Sequence, residues 1–128
     1  MSNSNTKIAV VVLSDPSGGS QEATGRVFNA LAVARDAKNN GQEAQVVFMG
    51  TGARWPAELE KPDHKAHDLY EEVKPMIGVS KTCAVAFGAE EDVESTGLPF
   101  LKDHDLPGSD GLPSLAGLVA SGHTVMTF

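Results

Sequence analysis

Cysteine is almost absent from this chain: Cys83 is the only one in 128 residues. A lone thiol cannot close an internal disulfide and leaves no cysteine cluster for zinc or an iron–sulfur centre. Long apolar runs are missing too. The longest, Ile8 to Leu13, is far too short to span a bilayer, so no membrane association is expected. The opening MSNSNTK has no apolar segment of the kind a secretory signal needs. Positive charge is scarce, with 10 Lys and Arg against 17 Asp and Glu and a net charge of −7. Such a surface repels phosphate backbones, and no local basic patch interrupts it, so nucleic acid is not an expected partner. The expected setting is the cytoplasm, where a free thiol stays reduced.

What remains has the composition of one globular domain, 41% hydrophobic and 21% charged. A chain of this length buries roughly two-thirds of the surface it exposes when unfolded, enough to fold without staples. Residues 1–6 read as a flexible polar tail and 7–128 as a single domain.

Lys7 to Leu13 (KIAVVVL) is a continuous β-branched run, the mark of a strand buried on both faces. After the turn-rich SDPSGGS, Ala23, Val27, Ala30, Leu31 and Ala34 fall at helical spacing, with Ser20 as N-cap and Gly41 as stop. Ala44 to Met49 gives a second buried strand, and residues 53–60 a short helical turn. A second long helix is expected from Pro62 or Asp63, its inner face marked by Ala66, Leu69, Tyr70, Val73, Met76 and Ile77. Pro75 bends or ends it, since proline supplies no amide to the carbonyl four residues back. The third strand is expected around Val79 to Cys83. A short helix (EEDVEST), an edge strand (98–101), a long loop, a helix near 114–121 and a last strand (HTVMTF) complete the order. Strands alternating with helices predict a three-layer α/β sandwich, a mainly parallel five-stranded sheet with helices on both faces.

In such sheets ligands sit beyond the carboxyl ends of the strands. Three segments are thereby singled out. In the first loop, Ser14, Ser17, Gly18 and Gly19 would offer backbone amides to an anion at the start of helix 1, although the loop lacks a P-loop ending and does not match GxGxxG. In the second, Gly50, Thr51 and Gly52 would bring backbone close to a ligand with Trp55 as wall, or the glycines serve the turn and the tryptophan packs at a subunit interface. The third follows Cys83. His64 and His67 are spaced to share a helix face, but no third ligand accompanies them. They are expected to be solvated, and neither metal nor cofactor is expected.

Two readings stay open for Cys83. If the apolar AVAF continues the strand, the thiol is an inert core filler. If the strand stops at the thiol, a helix beginning at Ala84 aims its amides at the sulfur and favours the thiolate. Lys81 and His104 are possible neighbours.

Taken together, FMGTGARW, PDHKAHDLYEEVK, CAVAFGAEEDVESTGLP and LAGLVASGHTVMTF resemble the DsrE/DsrF-like family over nearly the whole chain. The resemblance implies a DsrE-like (YchN-like) fold, commonly assembled as homotrimers or homohexamers. It implies sulfur transfer as a cysteine persulfide in relay systems, with Cys83 matching the sulfur-bearing cysteine. With one cysteine per chain, a relay places its second thiol on another protein. Trp55, Leu98 and Phe100 are then candidate subunit contacts. The expected function is a sulfur carrier or sulfurtransferase without a cofactor. A non-catalytic module binding an anion or nucleotide and a structural oligomeric partner are the alternatives.

Overall fold

A computed structural model describes residues 6–128. Five strands form one parallel sheet in the order β4-β3-β2-β1-β5: β1 (Lys7–Val12), β2 (Glu43–Phe48), β3 (Ile77–Ser80), β4 (Phe100–Leu101) and β5 (His123–Thr127). Every crossover carries helix: α1 (Gln21–Asn39), α2 (Trp55–Leu59), α3 (His67–Val73), α4 (Lys81–Ala86), α5 (Glu90–Thr96) and α6 (Leu115–Ala120). The expected tail falls outside the described residues except for Thr6, whose carbonyl accepts from the Glu43 amide at 3.1 Å and ties it to the sheet. Among the described residues no helix is long and apolar enough to cross a membrane.

The layers are unequal. Val10 and Val12, Val46 and Phe48, and Ile77 and Val79 lie in register on one face. They share one core with the inner sides of α1 to α5, including Leu31, Trp55, Tyr70, Ala84 and Val93. The other face carries α6, which packs on β5. Alternation of side chains along each strand produces this division. Helix α1 starts and stops where the sequence directs: Ser20 Oγ accepts from the Ala23 amide at 3.0 Å, and Gly41 follows with φ of 74°.

The second long helix is shorter than its periodicity suggests. Residues 60–66 are turns, α3 spans His67–Val73, and a 3-10 turn covers Lys74–Met76. Pro75 blocks the α-helix from continuing, and Ile77 opens β3 instead of closing a helix. The first half is held in turns by side-chain bonds. His67 Nδ1 meets the Leu59 carbonyl at 2.7 Å, and the buried Tyr70 donates its hydroxyl to Glu60 at 2.5 Å. His64 and His67 are consequently half-buried and engaged, not solvated. His64 Nδ1 accepts from the Ala66 amide at 3.0 Å, and its ring stands edge-on to Trp55 at 6.1 Å.

The apolar residues expected at the surface are inside. Trp55 is 2% and Leu98 6% exposed, and Phe100 is half-buried beneath Lys81, whose Nζ lies 4.4 Å from the ring centre. The exposed large apolar side chains are Leu13, Phe28, Val85, Phe87, Leu106 and Val119.

Candidate functional site

The loops after β1, β2 and β3 meet at the carboxyl edge of the sheet, as the topology requires. The third strand ends earlier than the sequence suggests. β3 stops at Ser80, and AVAF is neither strand nor the start of a helix but the body and end of α4. Ser80, fully buried, is the N-cap: its Oγ accepts from the Cys83 amide at 3.4 Å. Cys83 is therefore the third residue of α4, inside its first turn, and not the residue before a helix beginning at Ala84. The thiol is half-buried at the edge of the core, next to the wholly buried Ala84. A second amide of that turn, from Thr82, donates to the Gly111 carbonyl at 2.8 Å, which moors the long loop 102–114 on α4.

No contact joins either expected neighbour to Cys83 among the described residues. Lys81 is paired with the Glu90 carboxylate, and this hydrogen bond raises the lysine above its ordinary value. His104 is exposed in the long loop, bonded through its backbone to Leu112 at 2.8 Å.

The glycine-rich second loop forms a 3-10 turn, Gly50–Arg54, packed on the end of β1. Gly50 adopts φ of 59°, a left-handed conformation suited to glycine. Gly52 faces the backbone of β1 so closely that a Cβ would stand 2.2 Å from the Val12 carbonyl oxygen. Close backbone approach is thus real, but its object is the chain's own first strand. Thr51 donates its hydroxyl to the Leu13 carbonyl at 3.2 Å. Trp55 is buried behind this turn and cannot be an exposed wall; its Nε1 is shared between the Ser14 carbonyl at 2.9 Å and hydroxyl at 3.2 Å.

In the first loop the amides turn inward. The Ser17 amide donates to Asp15 at 2.9 Å and the Gly19 amide to the Pro16 carbonyl at 3.0 Å, so neither is offered to an anion. Gly18 and Gly19 are exposed. The Ser17 amide holds the Asp15 carboxyl below the usual carboxylate range, with smaller help from the Ser17 hydroxyl and the Arg54 guanidinium. The candidate residues do not line one cavity: Ser14 lines one hollow, Ser17 another and Gly19 a third.

Arg54, which sequence reasoning missed, links all three segments. Its Nη1 lies 3.2 Å from Asp15 and 3.1 Å from the Ser17 hydroxyl, and its Nε donates to the Phe87 carbonyl at 3.2 Å. The guanidinium stands 5.4 Å from the centre of the Phe87 ring. Its planar fork lets it serve these acceptors at once, and they come together only in the fold. Chemically, the assembled edge offers one partly exposed thiol on a helix braced by Ser80, Gly111 and Arg54.

Comparison with known proteins agrees with this architecture. The model of the DsrE/DsrF-like family matches residues 6–128. An uncharacterised protein of the archaeon Methanocaldococcus jannaschii is 25% identical over 68 residues, covering 53% of this chain and 56% of that protein. The chain thus spans little more than half the length of this curated relative.

Proposed function

Because the chain belongs to the DsrE/DsrF-like family, we propose that it is a sulfur carrier holding a persulfide on Cys83. The observation that carries this reading is the place of the thiol. Cys83 lies in the first turn after the third strand, partly buried at the sheet edge where α/β proteins do chemistry, and is not enclosed within a strand. The thiolate attacks the outer sulfur of a persulfide donor. A bond forms between Cys83 Sγ and that sulfur, the donor's S–S bond breaks, and the donor leaves as a thiolate. A thiolate on a second protein then takes the outer sulfur by the same exchange and regenerates Cys83. No electrons enter or leave, so no cofactor is needed. One cysteine per chain makes the acceptor another molecule.

The same reading includes self-association as a trimer or hexamer in a reducing cytoplasm. Phe28 on α1 and Val119 on α6 are exposed on opposite faces of the sheet, and a closed ring joins two different patches in this way. Light scattering on the purified protein would give the subunit number; a monomer at all concentrations would remove this part.

The test of the carrier is incubation with a persulfide donor followed by intact-mass measurement. The wild type is expected to gain one sulfur atom and Cys83→Ser none. A wild type that stays unmodified, and whose thiol resists alkylation under native conditions, would end the reading.

A further inference from the structure

We propose that the outward face of α4 docks a basic segment of the thiol-bearing relay partner, with a Lys or Arg side chain of that segment seated beside Phe87 and Asp92. This rests on the carrier reading for the identity of the partner, but on independent observations for its charge.

The inner side of α4 is spent on the core through Ala84, whereas Val85 and Phe87 are 40% and 37% exposed. Cys83 and Phe87 are four residues apart, so they lie one above the other on the helix, and a body covering Phe87 passes the thiol. Beside Phe87 is a hollow of about 240 Å³, lined by Pro16, Ser17, Arg54, Glu58 and Asp92 among others. It is too small for a folded element and suits one long side chain.

The charges around α4 decide which side chain. From the first loop comes Asp15, from the second Arg54, from α2 Glu58, from α4 Lys81, from α5 Glu90, Glu91, Asp92 and Glu94, and from the long loop Lys102 and Asp110. Three of the cations are already committed, Arg54 to Asp15, Lys81 to Glu90, and Lys61, which neighbours Glu58, to that carboxylate; the exposed Lys102 of the long loop, beside Gly111, is the fourth. Glu91 and Asp92 have no ion-pair partner among the described residues, and Asp110 shares Lys81 with Glu90 and Glu94. Asp110 stands at the start of α4, its amide 3.3 Å from the Thr82 hydroxyl. The polarity of α5 accounts for the acids in its own first turn and that of α2 for Glu58, but neither accounts for Asp110. An apolar strip rimmed by more carboxylates than cations complements a basic, partly apolar surface and repels its acidic counterpart. A second copy of this acidic chain is a poor occupant for the same reason. Small anionic sulfur donors such as thiosulfate are disfavoured, and a protein-borne persulfide or acceptor thiol with basic neighbours is favoured.

The test uses the intact protein and two synthetic peptides, one with lysines and arginines around its cysteine and one with glutamates. Each is activated as a 2-thiopyridyl disulfide. Cys83 thiolate attacks the peptide sulfur, a Cys83–peptide disulfide forms, and 2-thiopyridone departs with the electron pair. The leaving group is the same for both peptides, and each rate is divided by that of 2-mercaptoethanol with the same peptide. The basic peptide is expected to react about tenfold faster or more at low ionic strength. The gap should close above about 0.5 M salt, where screening reaches a few ångströms. Asp92→Lys should shrink the gap severalfold, and Asp110→Asn should move it the same way. Asp36→Lys, on the exposed last turns of α1, should leave it unchanged. Equal rates, preference for the acidic peptide, no labelling of Cys83 by either, or a gap indifferent to both Asp92→Lys and Asp110→Asn would overturn the proposal. Sulfur uptake is measured separately. Uptake without charge preference removes the docking surface and leaves the carrier; charge preference without uptake removes the carrier and leaves the surface.

Discussion

Arg54 donates from Nε to the Phe87 carbonyl at 3.2 Å, fastening the loop after β2 to the end of the helix that bears Cys83. With Asp15 and Ser17 on another of its nitrogens, the guanidinium bonds to both the first loop and the residue that caps α4. Arg54→Ala should therefore loosen α4 more than it unfolds the protein. Alkylation of Cys83 should speed up severalfold, and amide exchange should rise across residues 81–88 while circular dichroism stays unchanged. Arg54→Lys should restore little, because a single ammonium cannot serve Asp15 and the Phe87 carbonyl together. Unchanged alkylation and exchange in Arg54→Ala would show that α4 does not depend on this link.

Two glycines give opposite expectations for the same substitution. A Cβ on Gly52 meets the Val12 carbonyl oxygen at 2.2 Å, a backbone atom that cannot rotate away. Gly52→Ala should cost about 3 kcal/mol and displace the 50–54 turn from β1. At Gly25, inside α1, the methyl that alanine adds would meet nothing within 4 Å. Gly25→Ala should stabilise by about 0.5–1 kcal/mol through helix propensity alone. Urea midpoints of the two variants check both signs.

The Tyr70–Glu60–Lys74 group should contribute to both pH limits of stability. Burial on its own would raise the Glu60 carboxyl, but the Lys74 ammonium at 2.8 Å and the Tyr70 hydroxyl outweigh it and hold the group below its ordinary value. A depressed carboxylate contributes its stability above the unfolded value of about 4.3 and loses it as pH falls through the folded value. Burial first, and then the hydrogen bond to Glu60, push the Tyr70 phenol above its ordinary value. That contribution is present below about pH 10 and drains as pH rises further. Melting temperatures across pH should thus fall at both ends. Glu60→Gln should flatten the acid limb. Tyr70→Phe should flatten the alkaline limb while costing about 1–2 kcal/mol at neutral pH. Limbs of unchanged slope in both variants would contradict the assignment.

What could be read in the sequence follows from how local its causes are. β1, β2 and β5 were legible because apolar β-branched runs suit burial in a parallel sheet, and α1 because Ser20 and Gly41 mark its ends. The family was legible in the order of four segments, and its model covers residues 6–128. The end of β3 was misplaced because Thr82, Cys83 and Val85 suit a strand as well as a helix. Ser80 becomes a recognisable cap only once Ala84 is known to enter the core. The turns before α3 were hidden because bonds from His67 and Tyr70 back to Leu59 and Glu60 override a helical period. Arg54 was invisible for the same reason: its partners at 15, 17 and 87 are adjacent only after folding.

The cap at Ser80 bears most directly on the thiol. Ser80 is wholly buried, and its Oγ takes the Cys83 amide, leaving the first turn of a six-residue helix dependent on one side-chain bond and on the Thr82–Gly111 link. At 3.4 Å the bond is long, which places the cost of Ser80→Ala at about 1 kcal/mol, toward the lower half of the range for N-caps. Alanine fits the space, so the loss should fall locally on α4. Cys83 should then be alkylated faster than in the wild type, while Ser80→Thr, which keeps an acceptor oxygen, should lie between the two. If Ser80→Ala raises amide exchange in α4 but leaves the alkylation rate unchanged, the thiol's exposure is set by the core beneath Ala84 and not by the cap.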